Sequence, residues 1–262
     1  MGAEKKYVSH LGETRLNNQG YKMTIIEYNG YDHIVVEFAE PYHWITESKY
    51  SCFINGGIKN HYAPTASGIG ITGKKYPTCD ENGNHTREYT VWSNILKRCC
   101  IPSVQKRNPS YIGVTVADEW KYFENFYEWL HGQENYEAVS QLENYALDKD
   151  ILCKGNRIYA PDKCTLVPTR VNNLLLKPTR TKGVLPAGVI YYPRNKKYGV
   201  GCGGRQRRVF LGLYKTIEEA FEVYKQYKET EIQCTATEEF NKGTITRQCY
   251  EALMAYRVSI TD

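Results

Sequence analysis

GVIYYPRNKKYGVGCGGRQRRVFLGLYKTIEEAFEVYK, residues 188–225, sets β-branched and aromatic residues between turn formers before changing to a helical repeat. Residues 185–192, 198–202 and 207–214 read as strands, with turns at Asn195 and Gly203-Gly204. Thr216 followed three residues later by Glu219 is a capping box, and Ile217, Ala220, Phe221, Tyr224 and Lys228 form one helical stripe. The expected unit is a three-stranded antiparallel sheet packed on a helix. Between Lys177 and Lys215 stand ten Lys or Arg residues and no Asp or Glu, whereas a solvated face without a partner mixes its signs. Alternate strand residues share a face, so Arg194, Lys197, Arg205 and Arg207 or Arg208 are expected opposite the helix, with Lys196 beside them. Such a cationic ribbon suits the major groove of DNA, where Arg reads guanine and Lys or Arg on phosphate releases counterions.

Upstream, Trp92, Ile95, Leu96 and Cys99 fall at helical spacing. Trp120, Phe123, Tyr127 and Leu130 repeat it before Gly132, and the two helices are expected to pack together. A short apolar run at 146–152, a turn at Lys154-Gly155-Asn156 and a second run at 164–167 read as two strands. Pro168 then opens a helix to about Leu176, Pro being favoured at the first helical position. At the other end, residues 22–60 carry β-branched and aromatic runs cut by Asn29-Gly30 and Gly56-Gly57, which predicts three short strands. The glycine-rich stretch 67–85, including GIGITG, shows no periodicity and reads as a linker. At the C-terminus, residues 245–256 predict an amphipathic helix, followed by a strand at 257–261.

Together these predict an α+β chain of three parts: a small N-terminal β module and linker (1–85), a central helical plus ββα module (86–178), and the basic sheet domain with a C-terminal helix (179–262). With 41% hydrophobic and 24% charged residues and no run of eighteen apolar residues, no membrane partner is expected. The start, MGAEKKYVSH, has no apolar signal core, and no Ser or Thr at position 6 to support myristoylation. The nine cysteines are odd in number and lack a CxxC pair, which indicates neither a disulfide framework nor a zinc ribbon, and a reducing cytoplasm is the simplest setting. Cys153 and Cys164 are expected on facing strands as small hydrophobes, and most of the 23 tyrosines as buried or interface groups.

Gly188-Val189, Tyr198, Leu211-Gly212-Leu213-Tyr214 and Thr216-Ile217-Glu218-Glu219-Ala220 stand, in order, where the plant Apetala/ethylene-response-factor DNA-binding domain has its marks, and about 45 residues resemble that family. The resemblance implies DNA reading from the sheet, by Arg194, Lys196, Lys197, Arg205, Arg207 and Arg208. VWSNILKRCC (91–100), NPSYIGVTVADEWKYFENFYEWL (108–130) and LDKDILCKGNRIYAPDKCTLVPTRVNN (147–173) resemble bacteriophage proteins of HNH-endonuclease, or His-Me finger, ancestry, and the N-terminal strands resemble their leading module. An HNH site holds one divalent cation, Mg²⁺ or Mn²⁺, on a strand oxygen ligand and a helix Asn or His, with His as general base. The resemblance places Asp148 and Asn172 at the metal-ligand positions and Lys149 at the general-base position. A lysine with its ordinary pKa of about 10.4 is protonated at neutral pH and takes no proton from water. His131 is the nearest histidine that would replace it.

The leading reading is therefore a sequence-preferring double-stranded DNA-binding protein of bacteriophage type, acting in the cytoplasm of an infected bacterium and carrying a degenerate nuclease-like module. Two alternatives stay open: an active metal-dependent homing-type endonuclease or nickase, and a phage inhibitor whose mixed-charge N-terminal strands bind a host protein.

Overall fold

A computed structural model describes residues 9–175, 185–203 and 208–260, with Arg208 described by its backbone alone. The chain is α+β, and it divides into two compact units, Met1–Glu128 and Trp129–Asp262. No described helix is long and apolar enough to cross a membrane.

In the first unit, strands β1 (Thr14–Leu16), β2 (Lys22–Tyr28), β3 (Ile34–Phe38) and β4 (Trp44–Ser48) pair in sequence order as an antiparallel sheet. Strict alternation buries Ile34, Val36 and Phe38 on one face of β3, and Met23 and Ile25 of β2 join them under Phe53 and Ile58. Residues 22–60 hold the three expected strands, β2 to β4; β1 precedes them, and residues around Phe53 form helix α1 (Tyr50–Ile54). Gly56-Gly57 closes that helix and does not turn a hairpin. The Gly56 N–H donates to Phe53 O at 3.0 Å and the Gly57 N–H to Cys52 O at 2.8 Å, a Schellman closure with Gly56 at φ 65°. At the same edge, Tyr50 Oη donates to Glu13 Oε2 at 2.9 Å, and the His10 ring lies 4.2 Å from that of Tyr50.

Helix α2 (Arg87–Cys100) starts at Thr86, whose side chain accepts the Tyr89 N–H, and it buries Trp92, Ile95 and Leu96 as the spacing predicts. Helix α3 (Pro102–Arg107), the two-residue strand β5 (Thr115–Val116) and a 3₁₀ turn, Asp118–Lys121, lead into α4 (Phe123–His131). The Trp92 ring meets that of Phe123 at 5.4 Å, so these two helices do pack together. Phe126 is buried and Tyr127 only partly so, and Tyr127 stacks on Tyr76 at 4.0 Å. The stretch expected as a linker is tied into this unit. The Ile71 N–H donates to Lys121 O and the Phe123 N–H to Ile71 O, both at 2.8 Å. A Cβ on Gly70 would come within 2.3 Å of Leu96, so glycine there serves close packing.

The second unit contains α5 (Tyr136–Ser140), β6 (Tyr145–Asp148), the two-residue strand β7 (Ile158–Tyr159), β8 (Thr165–Pro168) and α6 (Thr169–Leu175). Next come β9 (Val189–Tyr192), β10 (Lys197–Gly203), β11 (Arg208–Tyr214), α7 (Ile217–Asn241) and α8 (Arg247–Met254). Pro168 ends β8, and the helix begins one residue later than predicted. Residues 257–260, expected to open a strand, are irregular.

Helix α7, 25 residues long, is the spine of this unit. Its first half, through Ala220, Phe221 and Tyr224, covers Val189, Val200 and Cys202 of the sheet. Its second half, through Ile232 and Ala236, packs with Val167, Val171, Cys249 and Leu253. Glu239, almost fully buried, accepts from Arg170 of α6 and from Thr244 Oγ1. Asn135 Nδ2 donates to Leu166 O at 3.0 Å and to Thr244 O at 2.9 Å, joining three distant stretches of this unit.

Candidate nucleic-acid interface

The C-terminal sheet is antiparallel in the order β11-β10-β9. Tyr198 pairs with Tyr191 and Tyr214, and Val200 with Val189, and of these Tyr198, Tyr214, Val200 and Val189 pack toward α7. The intervening positions pair Lys197 with Tyr192, Gly199 with Ile190 and Leu213, Gly201 with Phe210, and Gly203 with Arg208. By the strand period these belong to the face turned away from the helix. A bulge between Val200 and Gly201 leaves Leu211 without a partner on β10 and shifts the alternation of β11 by one residue, so Phe210 and Leu213 both oppose outer-face glycines.

Beside Lys197, that outer face carries large apolar side chains that the sequence reading did not single out. Ile190, Tyr192 and Phe210 are 43%, 41% and 60% exposed on it. They stand around a depression of about 310 Å³ floored by Gly199 and Gly201. A Cβ on Gly199 would lie 2.3 Å from the Tyr192 ring, so the missing side chain is what lets that ring lie across the central strand. The pattern YGVGCG, with glycine at every second residue of β10, was the sequence signal for this surface.

The cations of this region whose side chains are described include three at the β9–β10 hairpin. Arg194 and Lys196 are exposed in the turn and Lys197 is half-exposed at the start of β10. None of the three forms an ion pair with a described carboxylate. Lys196 holds φ at 48°, the left-handed region, and its N–H donates to Pro193 O at 3.3 Å. Arg205 and Arg207 lie outside the described residues, as do Lys177, Arg180 and Lys182, and Arg208 is placed only by its pairing with Gly203.

The proposed metal and general-base positions carry other duties. β6 and β8 are antiparallel, Asp148 pairing with Thr165, and β8 runs directly into α6, which bears Asn172 half-buried. Asp148 Oδ1 accepts the N–H groups of Asp150 at 2.7 Å and Ile151 at 2.8 Å, so it caps the end of its strand. Burial pushes its carboxyl above the ordinary value of 3.8, and the two N–H donors oppose that rise. Lys149 Nζ donates to Asn156 O at 2.6 Å and to Asp150 Oδ2 at 2.8 Å. His131 lies against the Tyr136 ring, 4.1 Å between centroids. Among the described residues no three His, Cys, Asp or Glu side chains group as a metal site. Cys153 is an exposed loop residue and Cys164 is buried just before β8, and both are free thiols. None of the family models, curated proteins or solved structures compared with this chain matches it.

Proposed function

We propose that the chain binds double-stranded DNA in the major groove with the outer face of the β9–β10–β11 sheet. One observation carries the reading: the β9–β10 hairpin presents Arg194, Lys196 and Lys197 with no described carboxylate paired to them, at the edge of a sheet face that α7 leaves open. Unpaired cations on a rigid ribbon keep their full charge for phosphate, where counterion release supplies most of the affinity. The basic run that includes Arg205 and Arg207, outside the described residues, adds to this charge in sequence. Double-stranded DNA in an infected bacterium is the partner implied by the phage resemblance.

The β6–β8–α6 unit serves in this reading as a nuclease-like brace. An active metal-dependent nickase is the competing reading, favoured by the antiparallel strand pair running straight into α6. Lys149, bonded to its own loop, is not available there as a base.

Gel shifts over a salt series test the proposal. The parent is expected to shift random duplex DNA, with log Kd against log salt steepened by about one unit for each phosphate contact. Replacing Arg194, Lys196 and Lys197 together with Ala is expected to flatten that slope and weaken binding, and replacing Arg205, Arg207 and Arg208 to do the same. Binding as tight as the parent's in both triple variants overturns the assignment. Supercoiled plasmid incubated with Mg²⁺ or Mn²⁺ is expected to remain unnicked, and metal-dependent nicking lost in Asp148→Ala would establish the competing reading.

A further inference from the structure

Resting on the DNA-binding reading, we infer that the glycine-floored depression of the outer sheet face is a thymine-reading site, in which Ile190, Tyr192 and Phe210 receive the 5-methyl groups of thymines in the major groove. Three large apolar side chains stand in water on the one face that α7 does not cover, and the cations of the adjoining hairpin give that face the sign a nucleic acid requires. In the major groove the thymine methyl is the one apolar group that a base presents, and an apolar side chain is its natural contact. The Tyr192 ring fills the space over Gly199, and Gly201 lines the depression beside Phe210 with no side chain of its own, which leaves a shallow apolar hollow for a methyl group.

A small-molecule occupant fits less well. A small-molecule site converges several polar groups on its ligand, whereas this depression is lined by aliphatic and aromatic side chains and glycine.

The probe is a duplex recovered by the full-length protein from random sequence, compared with the same duplex in which thymines are replaced one at a time by deoxyuridine. The exchange deletes the methyl and leaves base pairing and phosphates unchanged. Each thymine in the depression is expected to lose about four-fold in affinity, the worth of one buried methyl. Phe210→Ala, at a well-exposed position, is expected to keep the parent's salt slope while shrinking the thymine-to-deoxyuridine difference, and Ile190→Ser to do so independently. Equal affinity for thymine and deoxyuridine at every position overturns the inference while leaving duplex binding intact. Tighter binding to the separated strand, or recovered sites without A·T pairs, also overturns it. No binding to any duplex removes the DNA-binding reading, and this inference with it.

Discussion

Lys149 and Asn156 hold each other reciprocally across the loop that follows β6: Lys149 Nζ donates to Asn156 O at 2.6 Å, and Asn156 Nδ2 donates back to Lys149 O at 2.9 Å. Asn156 also ties Ile158, donating to its carbonyl at 2.8 Å and accepting its N–H at 3.0 Å. The lysine that the HNH resemblance sets at a general-base position is thus used to shape the loop. Beside it, Asp148 spends its carboxylate on two backbone donors.

Asp148→Ala should destabilise the second unit by about 1–2 kcal/mol, because two N–H groups of a part-buried turn lose their acceptor. Asp148→Asn retains an acceptor oxygen and removes a charge that burial disfavours, so it should be neutral or stabilising at pH 7. The folded carboxyl titrates above 3.8, so between the unfolded and folded values the native state binds more protons. Stability therefore falls as pH rises through that window, and the Asn advantage should vanish at its acidic end. Urea unfolding of both variants across pH 3.5–7 measures this, and an Asn variant as damaged as the Ala variant contradicts it.

Lys196→Gly should set stability against binding. Left-handed backbone costs a side-chain-bearing residue about 1 kcal/mol, and glycine escapes that cost. The variant is expected to gain stability of that order in thermal unfolding while its DNA affinity drops through the loss of one cation. A loss of stability would mean that the lysine side chain itself supports the turn.

Thiol labelling should divide the cysteines by burial. Burial pushes the thiols of Cys164 and Cys249 up to about 12, which leaves almost no thiolate at neutral pH. Cys52, Cys79, Cys153 and Cys234 are exposed. Iodoacetamide followed by peptide mass spectrometry should modify these four quickly, and Cys164, Cys202 and Cys249 only after denaturation.

Thr216→Ala should cost about 1 kcal/mol. Thr216 Oγ1 accepts the Glu219 N–H at 3.1 Å while Glu219 Oε2 accepts from the Lys215 N–H at 3.1 Å and the Thr216 N–H at 3.4 Å. The loss should appear in the unfolding of the second unit, since α7 underlies both the sheet and the α6–α8 cluster. An unchanged midpoint would show the cap to be redundant.

Local rules with a single geometric answer were legible in the sequence. The Thr216–Glu219 capping box, the buried face of Trp92, Ile95 and Leu96, and the strand–strand–helix order before Leu175 all rest on contacts within a few residues or on one periodicity. Gly56-Gly57 misled because a hairpin turn and a Schellman closure call for the same left-handed glycine. Only the hydrogen bonds back to Phe53 and Cys52 distinguish them.

The sequence by itself determined the secondary-structure alphabet, the charge of the C-terminal region and the parity that places Lys197, Gly199 and Gly201 together. Tertiary structure decided which parity is covered. Alternation says that two faces differ, but α7 buries Val189 and Val200 and thereby leaves Ile190, Tyr192 and Phe210 in water. It also decided what Asp148 and Lys149 do, because a side chain's availability depends on partners such as Asn156, which only the folded loop brings within bonding distance.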